Sequence, residues 1–221
     1  MNNSLRNKIP ITEVATVLTE NQFWKLAESD SDIQKGVYVS VAPVLPRGGT
    51  CARSWTDGLP EGHVAILSDK LDSYYIAFLL NTAPCQTDLF EGKINNLTKV
   101  RVNKKKISSL EIPVPDDETQ KVYAIAETLF ESMMDVEAED GSDDRLIYIY
   151  KVFEALCNCL AIDLFIYPLL RDKGLTLYDD WAKVAKEYSE KKDIEIVMKA
   201  LTDSDSPLRN DVMKFYLLLE N

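Results

Sequence analysis

Two prolines one residue apart, at the end of an apolar run, limit what the middle of this chain can become. The stretch is Lys104-Lys105-Lys106-Ile107-Ser108-Ser109-Leu110-Glu111-Ile112-Pro113-Val114-Pro115-Asp116-Asp117-Glu118-Thr119-Gln120. A basic run leads into Ile107–Val114, which is expected to be a buried strand. Pro115 ends it, because proline has no N–H to give to a sheet ladder. Asp117 and Gln120 then have the spacing of a capping box, in which each side chain satisfies a free backbone N–H at a helix start. Val122, Ile125, Ala126, Leu129, Met133 and Val136 recur at three- and four-residue steps. They form one apolar face of a helix expected to run to about Glu139.

The segments around this stretch read more simply. Ile9 to Leu18 suits a strand or short helix, followed by a polar turn. Gly36 to Val41 is β-branched and aromatic, as strands are, with Pro43 and Pro46 closing it. Arg47-Gly48-Gly49-Thr50-Cys51-Ala52-Arg53 is expected to turn, His63 to Leu67 to form a short strand, and Leu97 to Val102 another. Ser68 or Asp69 can cap a helix whose apolar face is Tyr74, Tyr75, Phe78 and Leu79. Glu137 to Asp144, with Gly141 and Ser142 inside it, reads as a linker. Beyond it the pattern is helical: Leu146–Leu170 with Pro168 kinking or ending it, Tyr178 to about Lys191, Ile194–Leu201, and a last helix holding Val212, Phe215, Tyr216 and Leu219.

A chain of 221 residues can bury a sizeable core as one large domain or two small ones. Its net charge of −11 is unevenly spread. Residues 1–130 hold 14 Lys/Arg against 16 Asp/Glu, and residues 131–221 hold 11 against 20. The acidic C-terminal part would repel a phosphate backbone, whereas the nearly neutral N-terminal part would not if its positive charges cluster. They do so over residues 93–110, where Lys93, Lys99, Arg101, Lys104, Lys105 and Lys106 meet no acidic residue. Lysines there can contact phosphates, or can form a solvated turn that protects a sheet edge. Arg47 and Arg53 flank Gly48-Gly49 and can reach base edges or phosphates, or serve solubility.

Signatures of catalysis are missing. The sequence has no Gly-rich phosphate loop, no Gly-x-Ser-x-Gly and no metal-spaced His/Asp/Glu set. His63 is the single histidine, and general acid–base work needs partners that the sequence does not display. We therefore expect no enzyme activity, no catalytic residue, no metal and no cofactor. Cys51, Cys85, Cys157 and Cys159 are too scattered for a disulfide framework, which suggests reduced thiols and a cytoplasmic protein. The apolar run Leu146–Leu170 is interrupted by Lys151, Glu154, Asn158 and Asp163, so it is expected to be a buried helix and not a membrane span.

The order of these parts carries a family likeness. Ile107 to Pro115, followed by Gln120 opening an amphipathic helix, resembles the end of a target recognition domain, as found in specificity subunits of type I restriction–modification systems. In that family a basic or polar strand precedes L-x-I-P-x-P, a Gln follows, and a long helix packs on a partner. Val37-Tyr38-Val39-Ser40 followed by Arg47-Gly48-Gly49-Thr50 resembles the family's strand and Arg-Gly-Thr/Ser turn. Asp72 to Asn81 resembles its Tyr-x-x-x-x-Leu helix. The likeness spans roughly Gly36 to Met134. Phe153 to Phe165 is faintly similar to the helix that follows the recognition region in large adenine methyltransferases with fused specificity domains.

The resemblance implies an α+β fold: a mixed-sheet recognition-type domain over residues 1–138, then an acidic, all-helical module over 139–221. It implies a non-catalytic DNA sequence-specificity component of a restriction–modification system, acting with methyltransferase and nuclease subunits. Arg47, Arg53, Arg101, Lys104, Lys105 and Lys106 would then contact double-stranded DNA, and the helices after Glu118 would carry protein contacts, including those of a homodimer. The overall acidity favours a rival expectation, a protein-interaction or regulatory module that keeps the recognition fold without binding DNA.

Overall fold

The computed structural model describes residues 8–29, 38–42, 52–55, 59, 61–89, 102–140, 144–171, 174 and 177–219. It is an α+β structure. Contacts divide the chain into Met1–Ala124 and Ile125–Asn221, and the division falls within one helix, α5 (Asp117–Asp140).

In the N-terminal unit the strands among the described residues are β1 (Lys8–Pro10), β2 (Thr16–Thr19), β3 (Tyr38–Val41), β4 (Ala52–Trp55), β5 (Val64–Leu67) and β6 (Glu111–Pro113). β1 and β6 form a two-stranded ribbon, with Ile9 opposite Ile112. The other four form a sheet in the order β2-β5-β3-β4. A mixed sheet was expected, but every described pairing is antiparallel. Parallel pairing needs a crossover of a dozen or more residues between neighbours. Here β3 and β4 are joined by residues 42–51 and pair as a hairpin, Val41 opposite Ala52.

Alternation along the strands sorts the sheet into two faces. Leu18, Ala65 and Leu67 lie on one face and pack with Phe23 and Ala27 of α1 (Glu20–Ser29). Ser40 stands opposite Ala65 on this face. Val17, Val39, Val41 and Ile66 belong to the other face and are buried. The helix α2 (Ser73–Asn81) packs against β3 and β4. Tyr75 through Leu80 are all buried, so α2 is apolar on every side, as an internal helix must be. Its cap is Asp72, not Ser68 or Asp69: Asp72 Oδ1 accepts from Tyr74 N at 2.8 Å and Tyr75 N at 3.2 Å. Ser68 shapes the preceding turn, accepting from Leu71 N and donating to Val14 O. The short helix α3 (Ala83–Leu89) follows.

The opening stretch folds differently from expectation. Lys104–Ser108 is a helix, α4, capped by Asn103, whose side chain accepts from Lys106 N at 3.0 Å. Only Glu111–Pro113 is strand, because only those residues find a partner, β1. The cap of α5 is also one residue earlier than the capping box suggested. Asp116 Oδ1 accepts from Thr119 N at 2.9 Å, which holds the Asp116 carboxyl below its usual range.

The C-terminal unit contains the rest of α5 with α6 (Asp144–Arg171), α7 (Leu177–Lys191), α8 (Ile194–Thr202) and α9 (Pro207–Leu219). α6 passes Pro168 and ends at Arg171. An aromatic row forms the centre of this unit: Phe130 stacks on Tyr150 at 5.3 Å and lies 6.5 Å from Phe153, which meets Trp181 edge-on at 6.1 Å. Gly174, between α6 and α7, has φ +74 and serves as the turn that a side chain would strain. Asp193 caps α8 by accepting from Glu195 N at 3.0 Å. No described helix is long and apolar enough to cross a membrane.

Candidate functional site

Three separated motifs of the N-terminal unit meet in one hydrogen-bonded knot. Tyr75 of α2 donates its hydroxyl to Pro113 O, at the end of β6, at 2.8 Å. Gln120, in the first turn of α5, accepts from Asp72 N at 2.8 Å and donates to Pro115 O at 3.0 Å. The glutamine is 3% exposed, so both bonds are shielded from water. It therefore acts as a clamp between the α2 cap and the double-proline turn, and not as a partner in a capping box. Tyr75 and Phe78 also contact the ring of Tyr123.

A second cluster lies at one end of the four-stranded sheet. Register places Thr19, Val41, Ala52 and Val64 there together. α1 starts at this end with Glu20, and β5 is preceded by Gly62 and His63. Glu20 Oε2 accepts from Gly62 N at 2.6 Å. His63 Nδ1 lies 2.6 Å from Ser40 Oγ. Burial holds the imidazole below its ordinary 6.5, against the opposing pull of the Glu20 carboxylate. Ser40 is 1% exposed, which keeps its oxygen out of reach of a substrate. The pairing of Ser40, Glu20 and His63 was not legible as a motif, because the residues are far apart in sequence and only strand register unites them.

The basic helix α4 connects to the same end. Lys104 Nζ donates to Gln22 Oε1 at 2.8 Å, and Gln22 also accepts from Thr19 N at 3.1 Å. Lys106 Nζ donates to Leu89 O at 3.3 Å. Lys105 is exposed. Lys104 and Lys105 have no ion pair among the described residues. The acceptor of Lys104 is a neutral amide, so its charge stays uncompensated by that bond. Arg53 lies in β4, not in a turn, with its backbone opposite Ser40. Arg47 and Arg101 fall outside the described residues, as do Leu97–Arg101 of the expected strand and Gly141–Asp143 of the expected linker.

The C-terminal unit holds buried ionisable groups on α6. Asp163 is 2% exposed and accepts from the Tyr178 backbone N–H at the start of α7. Burial pushes its carboxyl up to about 7; the Tyr178 bond pulls it down and the Asp179 carboxylate adds to the rise. Burial also pushes the Cys159 thiol up to about 12 and Cys157 well above its ordinary value. Such thiols stay protonated and unreactive. No set of metal-ligating side chains occurs among the described residues. A groove of about 450 Å³ between α6 and α8 is lined by Tyr148, Ile149, Glu195, Met198, Lys199 and Thr202. It brings together no acid–base or nucleophile pair.

Comparison with protein-family models, curated proteins and solved structures finds no match to this chain.

Proposed function

We propose that the chain is a non-catalytic DNA sequence-specificity component of a restriction–modification system, working with methyltransferase and nuclease subunits. In this reading the N-terminal unit is the recognition-type domain and the helical, acidic part carries protein contacts. The observation that carries it is the knot at Tyr75, Asp72, Pro113, Pro115 and Gln120. These residues belong to two of the parts in which the chain resembles a target recognition domain, Asp72–Asn81 and Ile107–Gln120, and the bonds tie the two together. Lys104 and Lys105 supply positive charge without an ion pair among the described residues, the form in which lysines serve phosphate.

A second reading has its own observation. Lys104 and Lys106 both donate to groups of their own chain, which suits a module that keeps the recognition fold and contacts only protein.

Selection from a pool of random double-stranded DNA separates the two. The specificity reading expects enrichment of a defined motif and loss of bound DNA in a Lys104→Ala, Lys105→Ala double variant that still folds. Retention of a methyltransferase subunit with no enrichment at any salt concentration would support the protein-contact reading and overturn the first.

A further inference from the structure

The direction of the Ser40–His63 hydrogen bond depends on the imidazole tautomer. Ser40 is 1% exposed, and its hydroxyl has no hydrogen-bond partner among the described residues except His63 Nδ1, at 2.6 Å. A buried hydroxyl that donates to nothing is disfavoured. Nδ1 is therefore the acceptor, and the neutral ring carries its proton on Nε2. Protonation turns Nδ1 into a donor. Two hydrogens would then compete for one short contact, unless Ser40 turned its own away into a site walled by Ala65, itself fully buried.

We propose that Ser40 and His63 form a proton-operated latch between β3 and the entry to β5, closed while the imidazole is neutral and released by acidification. The latch adds a side-chain tie at the end where β3 and β5 already pair, Val41 opposite Val64. His63 precedes β5, Ser40 belongs to β3, and Glu20 brings the start of α1 to Gly62, whose φ of +74 turns the chain into the strand. The charged groups around the ring are few among the described residues. Glu20 from α1 favours the charged ring, and Glu61 lies two residues before β5's lead-in glycine–histidine pair ends. From β2 the residue at this end is the neutral Thr19, and from β3 it is Ser40. Arg53 of β4 stands opposite Ser40 in register, and Lys104 reaches the first turn of α1 through Gln22. Burial outweighs Glu20, so the folded protein holds the ring neutral more firmly than the unfolded chain does. The latch's contribution is complete above pH 6.5 and is lost as pH falls below that value. This inference does not depend on DNA binding.

The chain has one histidine, so in an untagged preparation the imidazole C–H signals of a proton NMR titration belong to His63 alone. The wild type is expected to titrate below 6.5. Ser40→Ala moves the midpoint up, because the ring no longer has to accept. Glu20→Gln moves it down, because the stabilising carboxylate is gone. Amide exchange at Val41 and Val64, corrected for its intrinsic pH dependence, loses protection on acidification in the wild type and not in His63→Gln. A wild-type midpoint at or above 6.5, or a Ser40→Ala midpoint that does not move, overturns the latch. If Ser40→Ala does not fold, the exchange comparison with His63→Gln decides in the same way.

Discussion

Gln120 shows how one polar side chain can determine a local fold. It is buried, and both ends of its amide are used, one on Asp72 N and one on Pro115 O. Replacing it by Ala leaves a backbone donor and a backbone acceptor without partners. A loss of roughly 2–3 kcal/mol is expected, readable as a lower urea midpoint. Asp163 gives the second prediction at this scale. Its carboxyl is raised in the folded state from 3.8 to about 7, so the folded protein binds the proton more tightly than the unfolded chain. Its effect on stability is therefore most favourable below pH 3.8 and declines as pH rises to about 7. Asp163→Asn keeps an acceptor for Tyr178 N–H and removes the titration. The variant is expected to gain stability relative to wild type as pH rises through that window, by up to about 4 kcal/mol. Denaturant curves at several pH values show it, and parallel curves for both proteins would contradict it.

At the scale of elements, periodicity and punctuation were informative where apolar spacing or a turn decides the outcome. The helix over Leu146–Leu170, those near 178–191 and 194–201, and the strands at Tyr38–Val41 and Val64–Leu67 all follow the pattern of their apolar residues. The stretch at Ile107 was harder to read. Its β-prone residues suggested one strand, but strand formation needs a partner, and only Glu111–Pro113 reaches β1. Asn103, a better guide than the isoleucine, starts a helix instead. The buried side of α5 was also broader than its apolar stripe. It includes Gln120 and Glu127, polar residues that no hydrophobic count would place inside. The site clusters were illegible for a related reason: Ser40, Glu20 and His63 are joined by register, which one sequence does not reveal. The cap of α5 supplies a test at this scale. Asp116→Ala should cost about 1 kcal/mol, measured by thermal or denaturant unfolding, whereas Asp117→Ala should cost less because Asp116 makes the bond to Thr119.

At the level of the whole molecule, the two units differ in charge and in packing. The C-terminal unit packs around Phe130, Phe153 and Trp181, and Phe153→Ala is expected to destabilise it by about 3–5 kcal/mol. Its excess of carboxylates would repel a phosphate backbone. The N-terminal unit is nearly neutral and presents α4, where Lys105 is exposed and Lys104 is held beside the end of the sheet. The most direct test of DNA recognition is the affinity of the purified chain for double-stranded DNA as a function of salt. Lysines that displace counterions make log affinity fall linearly with log salt, with a slope of about −0.9 for each phosphate contact. A DNA-specificity component is expected to bind at low salt with a steep negative slope, and the slope is expected to be shallower by about 1 in Lys105→Ala. No binding at low salt, or a slope unchanged by Lys105→Ala, would contradict it.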